Sequence, residues 1–281
     1  MAGVSMKDIK LRIRSMESTK QITKAMEMVA ASKLRRAQDN VTRSRPYFET
    51  LFATVCGIAD NSRGFTSEYL TEREVNKSLY IVIAGDRGLA GGYNHNVLKL
   101  AESEMAGKNV TVVPIGKKSV ENFRAHGFEI LTEAYAEAGS LSVSDCFTMA
   151  RDLCKRYLNG EFDEVYLVYT GFVSILVQTP SVIKALPIHG TGESGKPTQE
   201  TLYEPNSEAV FNAIVPEYLG GLIYGALCEC VVSEQGARRT AMDAATKNAE
   251  EMIDGLSLQY NRARQGAITQ EITEIVAGAN N

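Results

Sequence analysis

The sequence predicts an α/β fold: a long antiparallel coiled coil of N- and C-terminal helices plus a central α/β domain. Three observations carry that expectation. The stretch from Leu222 to Val276 holds no proline and is dense in Ala, Glu, Gln, Arg, Met and Leu, the strong helix formers. At ~1.5 Å per residue an unbroken helix there runs roughly 80 Å, far beyond the three or four turns of an ordinary helix. Small and apolar residues recur along it at steps of three and four (Ala237, Ala241, Ala245, Ala249, then Met252, Leu256, Ala263 and Ala267), a seam that needs a long partner helix. The N-terminal segment supplies the second observation. Met6, Ile9, Ile13 and Met16 step likewise, and Met26, Ala30, Leu34, Ala37 and Val41 resume the series. The third is a change of texture at Ser78, where short apolar runs begin to alternate with helical stretches, the pattern of a mostly parallel sheet.

In chain order, the first helix starts near Ser5 and runs past Arg45. Its apolar phase shifts between Met16 and Met26, which predicts an irregularly wound pair rather than a clean seven-residue repeat. Two amphipathic helices packed on one globule remain the alternative. Pro46 should interrupt or kink the helix, with helical character resuming over Tyr47 to Ala59, and Asn61, Ser62 and Gly64 mark a loop. Leu79 to Ala84 reads as a buried strand. A helix over about His95 to Met105, a strand at Val110 to Ile115 and a short helix near Ser119 follow. Phe128 to Leu131 is a further strand. Ser142 and Ser144 are possible N-caps for a helix reaching Leu158, and Val165 to Thr170 and Ile175 to Gln178 are the last strands. The expected organisation is therefore an N-terminal helix (1–60), a central Rossmann-like α/β domain (77–205) and a C-terminal helix (207–281), with Pro216 as a punctuation point.

Composition narrows the function classes. The chain of 281 residues is 44% hydrophobic and 23% charged, as a soluble protein is, with a net charge of -4. That charge is uneven: between Met1 and Arg45 eleven basic residues face four acidic ones, Asp8, Glu17, Glu27 and Asp39. A basic helix suits nucleic acid, an anionic membrane or an acidic protein partner, although the aromatic interleaving that serves single-stranded nucleic acid is missing. A merely solvated helix face has the same look. Met1 to Lys10 is too polar for a signal peptide. The longest apolar region, Val165 to Val177, is too short to span a bilayer, so any membrane association is expected to be indirect. Cys56, Cys146, Cys154, Cys228 and Cys230 form no C-x-x-C pair and read as reduced cysteines. His95, His126 and His189 are scattered and read as surface or structural groups.

Two loops imitate phosphate binders. Gly85-Asp86-Arg87-Gly88-Leu89-Ala90-Gly91-Gly92 lies between a strand and a helix, but Asp86 occupies the second glycine position of a dinucleotide fingerprint and would repel a pyrophosphate. Gly190 to Lys196 approaches a Walker A loop, yet Pro197 replaces the Mg²⁺-holding hydroxyl and removes an N–H from the cradle. No convincing Ser/His/Asp set, carboxylate pair or metal cluster emerges, so neither a catalytic site, a cofactor nor a metal is expected.

Longer motifs are more specific. Gln21-Ile22-Thr23-Lys24-Ala25-Met26-Glu27-Met28-Val29-Ala30-Ala31-Ser32-Lys33-Leu34 resembles the N-terminal signature of the F-type ATP synthase gamma subunit family. Asp86-Arg87-Gly88-Leu89-Ala90-Gly91-Gly92-Tyr93-Asn94 is similar to the family's D-R-G-L-C-G-G-x-N, with Ala90 for the cysteine. Ser233 to Met242, Ala245 to Ala249, Tyr260 to Gln265 and Ile268 to Ile272 resemble its C-terminal signature. The likeness covers essentially the whole chain. The cysteine insert of the chloroplast form is not visible and no transit peptide precedes Met1, which points to a bacterial subunit.

The resemblance implies a non-catalytic central rotor stalk. Its coiled coil would stand inside the hexamer ring of alpha and beta subunits, and its α/β domain beside the epsilon subunit and the membrane c-ring of Fo. Proton flow would turn the ring and stalk, driving each beta subunit through its nucleotide states, with the direction reversed in hydrolysis. The location implied is peripheral, on the cytoplasmic face of the bacterial cell membrane, with no nucleic-acid partner. Residues carried over as partner contacts are Lys24 and Met26, beside the acidic lever of a beta subunit, Arg87, and the pair Arg264 and Gln265, which in the family hydrogen-bonds a loop of one beta subunit.

Overall fold

A computed structural model describes residues 5–60, 66–189 and 203–279. The expected loop at Asn61, Ser62 and Gly64 and the Walker-like segment Gly190 to Pro197 lie outside those residues. The described elements are α1 (Met6–Asp60), β1 (Ser78–Ile83), α2 (Tyr93–Met105), β2 (Val110–Ile115), α3 (Lys117–Ala125), β3 (Glu129–Ile130), a 3₁₀ turn (Ala138–Ser140), α4 (Val143–Leu158), β4 (Glu164–Phe172), β5 (Gln178–Leu186) and α5 (Ser207–Ala279). They divide into two compact units, Met1–Ala31 with Arg238–Asn281, and Ser32–Ala237.

Both terminal helices pass through their prolines. α1 is one helix of 55 residues containing Pro46, and α5 one of 73 containing Pro216; neither proline divides its helix, so the interruption allowed for at Pro46 does not occur. A proline removes one N–H and crowds one turn, and tertiary packing of the flanking turns outweighs that local cost. At the start of α5, Asn206 Oδ1 accepts the Ala209 N–H at 2.8 Å, an N-cap satisfying one orphan donor.

In the first unit the helix segments run antiparallel. The Thr23 and Thr246 hydroxyls meet at 2.8 Å, and Lys20 Nζ reaches Glu250 Oε1 at 2.9 Å. The inward positions of α1 include Ile9, Ile13, Met16, Lys20, Thr23, Glu27 and Ala30, which alternate by four and three, with Met26 half-buried beside Glu27. On α5 they are Met242, Thr246, Ala249, Ile253, Leu256, Tyr260, Ala263 and Ala267, again four and three. The expected phase shift in α1 is thus absent: the heptad continues, but Lys20, Thr23 and Glu27 fill it, so its hydrophobic signal fades. Met252, placed on the seam by sequence, is 57% exposed, and its neighbour Ile253 turns inward instead.

The second unit is built on a five-stranded sheet of order β3-β2-β1-β4-β5. β1 lies parallel to β2 and β4, β2 parallel to β3, and β5 runs antiparallel to β4. β5 begins at Gln178; Ile175, read as strand, sits in the turn before it. All six residues of β1 are buried because both faces are covered. Leu79, Ile81 and Ile83 face a core built with α4, the end of α1 and the first part of α5. Tyr80 and Val82 face a second core with α2 and α3. Each fully buried aliphatic there contributes about 1.5–3 kcal/mol. α4 opens with a capping box in which Ser142 and Asp145 satisfy each other's backbone N–H, as Ser142 promised. The five cysteines are free; four are buried and Cys228 is partly so. An 18-residue window of α5 reaches a mean hydropathy of 1.3, more apolar than sequence inspection allowed, and half of it is buried in the protein, as a core helix requires.

Gly116 closes the sheet's C-terminal edge. Its φ is 92°, and a Cβ there would lie 2.1 Å from the Ala84 carbonyl oxygen. Gly116→Ala should therefore lose about 3 kcal/mol of stability or more. Chemical denaturation measures this, and an unchanged midpoint would show that the edge relaxes freely.

Candidate partner-contact site

In the second unit, the strand β1 delivers the loop 85–92 to the end of the sheet where an open α/β fold binds phosphates. Asp86 fills that position with its own carboxylate. Its oxygens accept backbone N–H groups from Lys117 at 3.2 Å, Ala138 at 2.9 Å and Gly139 at 2.9 Å. Those donors belong to the first turn of α3 and to the 3₁₀ turn, the kind of N–H cluster that otherwise cradles an anion. Sequence reasoning had Asp86 repelling a phosphate; the geometry goes further, because the residue replaces one.

The rest of the loop is pinned. Asn94 Oδ1 accepts the Gly85 N–H at 2.8 Å and its amide donates to the Arg87 carbonyl at 3.1 Å. The Tyr93 hydroxyl donates to the Cys230 carbonyl at 3.2 Å, and burial pushes that phenol well above its usual range. A Cβ on Gly85 would stand 3.0 Å from Glu234, so the loop lies tight against α5. Leu89, at φ 61° and 64% exposed, is held outward in the left-handed region, which few non-glycine residues adopt. Arg87 lies on this exposed outer turn. Among the described residues, no group of three or more His, Cys, Asp or Glu side chains could hold a metal.

The remaining expected contact residues lie in the first unit. Lys24 is exposed and bonds Glu27 at 2.8 Å, one helical turn on. The Glu27 hydrogen bond and charge raise the Lys24 pKa, with Asp243 and Glu250 adding to it at longer range. Met26 is half-buried beside that pair. Arg264 and Gln265 are both exposed. They stand near the end of the α5 seam, whose last inward residue is Ala267. Beyond it every residue of known exposure is exposed, and Ile268, Ile272 and Ile275 repeat at four and three with no helix covering them among the described residues. The structure therefore gathers Lys24 and Met26 on one stretch, Arg264 and Gln265 on another, and leaves Arg87 in the other unit. Sequence reasoning missed two apolar surfaces. One is the Ile268–Ile275 stripe, whose spacing was readable; the other is the β4–β5 tip, where Val173, Leu176 and Val177 are at least half exposed. The tip is braced by mutual Ser174 and Val177 backbone hydrogen bonds.

Long helices paired antiparallel, together with an α/β sheet whose phosphate position is filled by Asp86, define the class of protein to which the chain belongs. The chain belongs to the ATP synthase gamma chain family. A family model described as ATP synthase matches residues 5–281. It is 44% identical over 282 residues to the ATP synthase gamma chain of Ruminococcus albus, covering 99% of this chain and 98% of that one. It is 46% identical to that of Alkaliphilus metalliredigens, again over 99% and 98%, and 41% identical to a sodium-ion-specific gamma chain of Acetobacterium woodii, over 98% of both. Among solved structures, a chain of the Euglena gracilis mitochondrial ATP synthase OSCP/F1/c-ring aligns with TM-score 0.68 at 18% identity, over 98% of this chain and 93% of that one. At that identity the likeness speaks for the fold.

The Asp86 anchor is testable in solution. Asp86→Ala should cost about 1–3 kcal/mol, since up to three N–H groups lose their partner. Hydrogen exchange should accelerate at Lys117, Ala138 and Gly139 ahead of the rest of the sheet, and unchanged protection at those amides would refute the anchor.

Proposed function

We propose that this chain is the central rotor stalk of a bacterial F1Fo ATP synthase and does no catalysis itself. The observation that carries the reading is the bare end of α5. A helix that spends its last turns displaying Ile268, Ile272 and Ile275 is built to be covered by another surface, which in this family is the ring of alpha and beta subunits. The other end of the chemistry agrees: the phosphate position of the sheet is occupied by Asp86, so ATP has no place there, and the nucleotide work falls to the partners. Ion flow, protons in this reading, turns the membrane c-ring, and the stalk with its epsilon subunit turns too. Its asymmetric surface then forces each beta subunit through its states in order. The chain would sit on the cytoplasmic face of the membrane, attached only through its partners. As working domains within the stalk, we retain 1–60 and 207–281 as the coiled-coil helices and 77–205 as the central domain.

Contacts that must slide favour long-range charge over interdigitated packing. The overall basic α1 fits an acidic lever in that way, with Glu27 moderating the charge of Lys24. Met26, half-buried between them, contributes bulk without charge. Met26→Lys adds a cation able to hold the lever, at ~1 kcal/mol or more per partly desolvated contact. Fewer protons should then be pumped per ATP in reconstituted vesicles, while the complex still assembles; unchanged pumping would remove Met26 from the contact.

Arg264 offers a rigid fork of donors and Gln265 both a donor and an acceptor, at the level where α5 is losing its partner helix. They suit a carboxylate-bearing loop. Changing both to Ala should leave the helix intact, since Ala is the better helix former. Multisite ATP hydrolysis by the alpha–beta–gamma complex should slow by up to roughly tenfold, if one charged hydrogen bond of ~1.4 kcal/mol is lost at the limiting step. Wild-type turnover by normally assembled complex would rule out that contact.

A further inference from the structure

Within the second unit, α1, α5 and the β4–β5 ribbon line an open-sided cavity of about 450 Å³, in the size range of small-molecule sites. Its walls are mainly aromatic and aliphatic, with Phe48 and Phe52 from α1, Tyr218 and Leu222 from α5, and Tyr169 and Ile183 from the sheet. Two glycines shape it. A Cβ at Gly221 would stand 2.9 Å from Phe48, so that residue lets the phenyl ring approach α5; at Gly225 a Cβ would meet Phe48 at 3.9 Å, an ordinary contact, so a side chain can be added on that wall without a clash at its first carbon.

One end of the cavity carries Glu229. Burial raises the pKa of this half-buried carboxylate above the usual range, with the nearby Phe172 backbone and, from a distance, Arg45 opposing. Arg45 does not close on it. The guanidinium is mostly exposed and reaches Glu49 instead, at 3.8 Å. The other ionisable groups on the lining are Glu49, Cys228, Tyr169 and Tyr218, all acidic or neutral. The cavity thus joins a greasy, aromatic interior to a carboxylate without a close cation, and aromatic faces themselves attract cations.

We propose that this cavity is a binding site for hydrophobic amines, with the ammonium on Glu229 and the apolar body among Phe48, Phe52, Tyr169 and Tyr218. The site is separate from the stalk reading and stands whether or not that reading does. An isosteric series tests it: 4-phenylbutylamine, 4-phenylbutanol and 4-phenylbutanoate titrated calorimetrically into the full chain. The amine should bind about tenfold more tightly than the alcohol, and the carboxylate most weakly. Glu229→Gln keeps the size, so the fold should persist by circular dichroism while the amine's advantage disappears. Gly225→Leu adds bulk on that wall and should weaken the amine and the alcohol alike. Tighter binding of the carboxylate would assign the site to Arg45 instead. An amine preference that survives Glu229→Gln, or no binding of any of the three to the wild-type chain, would overturn the proposal.

Discussion

Most of the stability of a helix in a folded protein comes from packing of its apolar face rather than from propensity, and for one of 73 residues that packing has to be found over a great length. α5 meets that constraint differently along its length. Through Phe211, Val215, Leu219 and Ile223 it is part of the sheet's main core. From Met242 to Ala267 it is covered along a single heptad seam by α1. After Ala267 no described residue covers it. The covering thins from a broad core, to a stripe, to none, and the functional reading follows that gradient. Where the chain covers α5 itself, the residues are structural; where it stops, they are available to others.

The seam of the first unit is economical in apolar side chains. Thr23 meets Thr246 and Lys20 meets Glu250, interactions worth little singly, the ion pair because it is exposed. Their value lies in register, since a hydroxyl pair and an ion pair match only when the helices are set correctly along each other. The second unit contrasts with this. Tyr80 stacks on Tyr166 at 4.8 Å, and four of its cysteines are sealed inside, with burial pushing Cys146, Cys154 and Cys230 up to about 12. Thiols so disfavoured as thiolates are inert packing groups at neutral pH.

Much of this was legible in the sequence. Apolar runs located β1 to β4 but not β5, which starts where the expected strand ended; Ser142 located the start of α4, and the spacing of Ile9, Ile13, Ala30 and Leu34 located the inner face of α1. The seam between them was not legible, because Lys20, Thr23 and Glu27 face inward without being apolar, and a hydrophobicity pattern cannot register them. The interruption allowed for at Pro46 fails for a related reason: local rules read one turn, while the helices are held by contacts from far along the chain. Met252 and Ile253 differ by one position, and only the partner's placement selects the second. Glu229's cavity draws on residues more than 180 positions apart, so no local pattern announces it. The contact residues came from whole-motif resemblance; the geometry adds that Lys24 is already engaged with Glu27 and that Arg264 and Gln265 stand where cover runs out.

Asp86 has a consequence for a protein that works surrounded by nucleotide. Free ATP or phosphate could compete for the amides of Lys117, Ala138 and Gly139 only by displacing a carboxylate tethered to the same chain. A group held within reach by a short, fixed connection acts at an effective concentration of millimolar or far more. The same tether that orders the loop therefore weighs against any free anion at these three amides.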